Sequence, residues 1–134
     1  ARLSKSLVSQ LDLYPTILDL AGIPCEGHRK RPGKSLLRIL SEEVSGHEYV
    51  IAELATAMMI RTANWKMVFD PGAGGVQQLF NLARDPEELD NVAGVPGYEV
   101  VTTDLLEKLL SDKIRRSQIT QAKEEQRLQR VHIG

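Results

Sequence analysis

Apolar residues recur at helical spacing near the start and near the end of this chain, and between those stretches they alternate with polar ones. Leu13, Ile17, Leu18 and Ala21 fall on one face of a helix spanning residues 9 to 22, with Asp19 lying away from them. Ser9 and Asp12 are candidate N-caps, Pro15 sits where a first turn tolerates it, and Gly22 suits the position just past the end. The stripe is expected to be buried. Residues 23 to 34 hold Pro24, Gly27, Pro32 and Gly33, too many breakers for regular structure, and read as a loop. Ser35 to Leu40 is short and apolar, enough for one or two helical turns before the chain turns polar through His47.

Strand-like runs follow at Glu48 to Leu54, Ala57 to Thr62, Trp65 to Asp70 and Gln77 to Leu82. Ala63-Asn64 makes a tight turn and Pro71-Gly72-Ala73-Gly74-Gly75 a strong break. Connections this short cannot carry parallel crossovers, so the runs predict an antiparallel meander. Asp85 as N-cap, Pro86 at the first helical position and Glu88 in a capping box predict a short helix after the last strand. From Tyr98, the recurrence of Val101, Leu105 and Leu109 with Leu106, Leu110 and Ile114 predicts a long amphipathic helix. Beyond Ser117 the stripe fades, and fraying or disorder is expected there unless a partner covers Leu128 and Val131. The fold class is therefore α+β: a small antiparallel sheet of about four strands packed by a long C-terminal helix, with a short N-terminal helix.

Composition narrows the partners. The chain has 134 residues, 42% hydrophobic and 26% charged, as in an ordinary folded domain. With six aromatic residues, the core must rest on Leu, Ile and Val, with Trp65 as one large anchor. A net charge of -1 with both signs interspersed excludes the one-signed field that steers proteins onto nucleic acid. The local exception is the basic run His28-Arg29-Lys30-Arg31, a solvated loop that is also placed to meet an anionic group. A lone cysteine, Cys25, leaves no intrachain disulfide and no multi-cysteine zinc site. No apolar run approaches the roughly 20 residues of a membrane span. His28, His47 and His132 show no metal-ligand spacing and read as solvent-exposed loop histidines. The chain opens without an initiating Met and runs directly into a helix pattern, which reads as a piece of something longer.

Three ordered pieces resemble the C-terminal part of sulfatases, within the alkaline phosphatase superfamily. They are Val8-Ser9-Gln10-Leu11-Asp12-Leu13-Tyr14-Pro15-Thr16-Ile17-Leu18-Asp19-Leu20-Ala21-Gly22-Ile23-Pro24, Met59-Ile60-Arg61-Thr62-Ala63-Asn64-Trp65-Lys66-Met67-Val68, and Gln78-Leu79-Phe80-Asn81-Leu82-Ala83-Arg84-Asp85-Pro86-Glu87-Glu88-Leu89-Asp90-Asn91-Val92-Ala93. The likeness covers about residues 3 to 110, and three motifs in order are far more specific than one. Each also has a structural reading as helix start, strand pair or turn, and that reading comes first.

The resemblance implies a parent that hydrolyses sulfate esters with a formylglycine made from a Cys-x-Pro/Ala-x-Arg motif and a divalent cation (Ca2+), both in an upstream catalytic domain. It implies no catalytic, cofactor-binding or metal residue here. Cys25-Glu26-Gly27-His28-Arg29 has the Cys-to-Arg spacing of that motif, but Gly27 stands where Pro or Ala belongs and the segment follows the first helix, so a loop thiol is the expected reading. Residues 1 to 40 would close the parent's catalytic domain, 41 to 120 form the α+β subdomain and 121 to 134 a polar tail. His28, Arg29, Lys30 and Arg31 are the candidate substrate-entrance residues, together with the hairpin at 71 to 76. The partners implied are the upstream domain and a sulfated small molecule or glycan. Two rivals stand: a related phosphodiesterase, phosphonate hydrolase or sulfamidase, and a free-standing binding module. The absence of an Asn-x-Ser/Thr acceptor at Asn64, Asn81 or Asn91 favours a bacterial parent over a glycosylated lysosomal one and leaves the compartment, periplasmic or secreted for such a parent, unassigned.

Overall fold

The computed structural model describes residues 3–24, 33–42 and 44–131. The first element starts at Ser9, whose hydroxyl accepts the Leu11 N–H while its own N–H reaches Asp12 Oδ2 at 2.7 Å. This reciprocal cap opens a single 3-10 turn, Gln10–Asp12, that runs straight into helix α1, Leu13–Leu20. Gly22 follows with φ 66°, the left-handed geometry that stops a helix at small cost only for glycine. Thr16 then joins α1 to helix α2, Leu36–Leu40, because its hydroxyl accepts the Leu36 N–H at 2.9 Å.

The expected burial of the first stripe is not found. No residue of α1 is buried, and Leu13, Ile17 and Leu20 are 54%, 62% and 68% exposed. The periodicity is present, but with Leu13, Ile17 and Leu20 all more than half exposed, that side of α1 has no cover among the described residues.

Four antiparallel strands form one sheet in sequence order: β1 Tyr49–Leu54, β2 Ala57–Thr62, β3 Trp65–Asp70 and β4 Gly75–Asn81. The meander and its short turns are as the alternation predicts, with β4 beginning two residues earlier than read from the sequence. In the pairing Ile51↔Ile60↔Met67↔Leu79, one residue from each strand lies in a single row across the sheet. Ile60, Met67 and Leu79 are sealed by Leu105 and Leu109 of helix α3, Glu99–Val131, and this is the core. Trp65 meets Tyr98 edge-on at 5.8 Å between ring centroids, closing one end of it.

Two departures have local causes. The short helix after Asp85 does not form: Asp85 accepts the Asp90 N–H at 2.9 Å in a turn, and Glu88 adopts φ 60° while pairing with Lys66 at 2.5 Å. Asn91 then pins the segment to the sheet edge, accepting the Leu79 N–H at 2.9 Å and donating to the Gln77 carbonyl at 3.0 Å. Helix α3 continues through Val131 instead of ending near Ser117. Once a packed first half supplies the nucleus, propagation through good helix formers such as Gln121, Ala122 and Lys123 needs no buried surface. No helix of the described residues is long and apolar enough to cross a membrane.

Candidate functional site: a polar clasp and the recess beside it

The most concentrated polar chemistry lies where the N-terminal segment crosses the entry to β1. Asp12, placed at the third position of the cap, is completely buried. Its two oxygens accept the Ser9 N–H at 2.7 Å, the Lys34 N–H at 2.7 Å, and His47 Nε2 at 2.9 and 3.0 Å. Burial works to raise the carboxyl's pKa, but these donors and the imidazole outweigh it and hold Asp12 below the ordinary carboxylate value. The backbone closes the same joint, since the His47 N–H donates to the Leu7 carbonyl at 3.0 Å. Three chain segments thus converge on one carboxylate.

Lys34 belongs to the joint through its backbone and faces outward through its side chain. Its ammonium donates to two neutral acceptors, the carbonyls of Ser45 at 3.0 Å and Gly46 at 2.8 Å. Across from it on α3, the buried Asp112 is clamped by Arg115 Nη2 at 2.5 Å and by Arg116 Nε. The carboxylate's hydrogen bond and charge raise the Arg115 pKa further above its already high ordinary value. Between these groups lies a recess of about 210 Å³, walled by Lys34, His47, Glu48, Asp112, Arg115 and Arg116, with Ser9, Leu11, Gly33 and the first residues of β1 completing it.

The residues singled out by the sequence fare differently. His28, Arg29, Lys30 and Arg31 lie outside the described residues, as do Cys25 and His132. His47, expected as an exposed loop histidine, is instead 20% exposed and bonded to Asp12; loop composition does not reveal a partner 35 residues away. The hairpin at 71 to 76 is a 3-10 turn, Pro71–Ala73, with no buried residue, capped by the Asp70 carboxylate on the Gly72 N–H at 2.9 Å. Sequence reading also missed Asp112, Arg115 and Arg116. Their signal was available, because an acid followed by bases three and four residues later on a helix is the spacing of an intrahelical pair.

As a test for a cation, no group of three or more His, Cys, Asp or Glu converges among the described residues. The oxygens of Asp12 and Asp112 are already occupied by protein donors. These described residues do not fit a divalent metal.

Residues 1–115 match the family model described as N-sulphoglucosamine sulphohydrolase, C-terminal. The chain is 36% identical over 121 residues to arylsulfatase K of Bos taurus, covering 79% of itself and 22% of that protein. A putative sulfatase from Bacteroides thetaiotaomicron superposes with a TM-score of 0.64 at 31% identity, over 81% of this chain and 25% of that one. A 2-O GAG sulfatase superposes at 0.67 and 30% identity, over 87% and 27%. The chain therefore spans about a fifth to a quarter of the length of the proteins it matches.

Proposed function

The chain belongs to the N-sulphoglucosamine sulphohydrolase C-terminal family, and from that premise we propose that it is the C-terminal module of a sulfate-ester hydrolase whose reacting groups reside on an upstream domain. One observation carries the proposal from the side of structure: the apolar face of α1, with Leu13, Ile17 and Leu20 all more than half exposed, has no cover among the described residues. A preceding catalytic domain supplies it. Residues 1 to 40 then close that domain, 41 to 120 form the subdomain beside it, and 121 to 134 form a polar tail.

Cleaving a sulfate ester requires an activated nucleophile at sulfur and a fixed positive environment for the departing oxyanion. In the proposed parent those are a formylglycine and a divalent cation, Ca2+, held upstream, as the resemblance to sulfatases implies. This module contributes shape and charge instead. The His28-Arg29-Lys30-Arg31 loop is proposed to lie at the substrate entrance and to attract a sulfated small molecule or glycan. The 36% identity to arylsulfatase K supports the ester reading, the family's name points to an N-sulpho substrate, and the upstream nucleophile decides between them.

The deciding experiment assays the full-length protein against 4-nitrophenyl sulfate, a sulfated disaccharide and bis(4-nitrophenyl) phosphate. Turnover of the sulfates, none by residues 1–134 alone, and a raised KM with little change in kcat after charge reversal at Arg29, Lys30 and Arg31 are expected. Preferential turnover of the phosphodiester would move the parent to a related hydrolase. An unchanged KM in the charge-reversed protein would remove the entrance role of the loop.

A further inference from the structure

We propose that the recess between Lys34 and α3 binds a single oxyanion, a sulfate or a sulfate group carried on a ligand. The inference goes beyond the proposed hydrolase: the anion site stands on the recess alone, and the choice of sulfate among tetrahedral oxyanions rests on that reading. It starts from an imbalance of donors and charge around one cavity.

The two buried carboxylates nearest the recess have their oxygens occupied. Asp12 is bonded by Ser9, Lys34 and His47, and Asp112 by Arg115 and Arg116. The cations are not used up in the same way. Lys34 places its ammonium on two neutral carbonyls, which orient it without cancelling its charge, and among the described residues it has no ion-pair partner. A lysine ammonium has three donors, and two are taken. Arg115 and Arg116 each commit one nitrogen to Asp112, out of five donors in each guanidinium. Three cations, Lys34, Arg115 and Arg116, therefore line the recess against two carboxylates, Asp112 and Glu48. Of the two, Glu48 is exposed and lies within electrostatic reach of Lys108.

Size and geometry select the ligand class. About 210 Å³ is below the roughly 300–1,000 Å³ of sites for drug-sized molecules, but ample for one tetrahedral oxyanion and a few waters. Guanidinium forks pair with planar or tetrahedral oxyanions through parallel N–H bonds, and a lysine contributes a point charge to the same group. The donors come from separate elements, Lys34 ahead of α2 and the arginines from α3; the arginines are held by the buried Asp112 and the Lys34 ammonium by two backbone carbonyls. An arriving anion meets groups already oriented, which lowers the entropy cost of binding.

The test uses the full-length protein, with sodium sulfate as probe and sodium chloride at equal ionic strength as control. Sulfate is expected to raise the thermal midpoint saturably, beyond chloride, and Arg115→Gln to weaken its apparent affinity about tenfold, the loss of one charge-assisted contact. Arg115 is the chosen site because Arg116 remains on Asp112 in the variant. Lys108→Gln, the same charge change on the same helix outside the recess, is expected to leave sulfate affinity within twofold of the parent. A sulfated disaccharide, titrated against wild type and Arg115→Gln, separates the sources. Arg115-dependent binding tighter than that of free sulfate assigns the recess to a ligand-borne group; weaker binding assigns it to the free ion. A midpoint that responds equally to sulfate and chloride, or equal losses in Arg115→Gln and Lys108→Gln, would overturn the site. Because the readout is binding, its failure leaves the hydrolase assay untouched, and a failed assay leaves this result standing.

Discussion

Asp12 shows how much one side chain carries that its sequence neighbourhood only half reveals. The motif identified a helix start, and a serine with an acid three residues on is the signature of a reciprocal cap. Complete burial and the bonds to Lys34 and His47 depend on residues 22 and 35 positions away, which no local pattern encodes. Replacing Asp12 by Asn keeps the volume but removes one acceptor oxygen and the charge, leaving a buried N–H without its partner. The expected cost at neutral pH is about 2 kcal/mol in urea denaturation of this chain. The sign with pH follows from the depressed folded-state pKa. The carboxylate's contribution is complete above the unfolded value of about 3.9 and is lost as pH falls through the lower folded value. The gap between wild type and Asp12→Asn is expected to be constant from about pH 7 to 5 and to close below about pH 4. A gap that persists at pH 3 would mean the loss does not follow the ionisation of Asp12, and one absent at pH 7 would mean Asp12 contributes volume and not charge.

Strands and the packed half of α3 were legible from the sequence because each buries one face, and burying one face imposes a period on the residues. The row Ile51, Ile60, Met67 and Leu79 follows from alternation with two-residue turns joining β1 to β2 and β2 to β3 and a four-residue loop before β4, and α3 answers it with Leu105 and Leu109 four residues apart. The segment after Asp85 was not legible. Its capping signals are real, but Glu88 gains more from a left-handed turn that reaches Lys66 than from a helix with little to bury. Adjacent leucines on α3 separate period from burial. Leu109 is 1% exposed in the core, whereas Leu110 is 49% exposed on the flank. Leu109→Ala is expected to destabilise this chain by about 2–5 kcal/mol, and Leu110→Ala by less than about 1 kcal/mol, read from urea midpoints at constant slope. Equal effects would indicate that α3 sits in a different rotation on the sheet.

For the whole molecule, the amphipathic pattern of α1 gave the right helix and the wrong burial, and the reason separates the module from its parent. Periodicity states that a face is apolar and says nothing about what covers it. On the sheet side that cover is α3, supplied by this same chain, while α1 finds none among the described residues. An uncovered stripe of Leu13, Ile17 and Leu20 is costly in water and favourable against a neighbouring domain, at about 25 cal/mol per Å² of apolar surface removed. Changing the three residues together to Ser is therefore expected to act with opposite sign in two contexts. In residues 1–134 alone, the urea midpoint should shift little and the chain should stay monomeric to higher concentration by light scattering, since only solvated surface is altered. In the full-length protein, where the proposed catalytic domain would cover this face, each lost side chain would remove roughly 1.5–3 kcal/mol of burial, so the variant should lose thermal stability and the proposed hydrolase activity together. If instead the triple variant left the full-length protein unaffected, the α1 face would not be the joint, and a different partner would have to account for the apolar stripe.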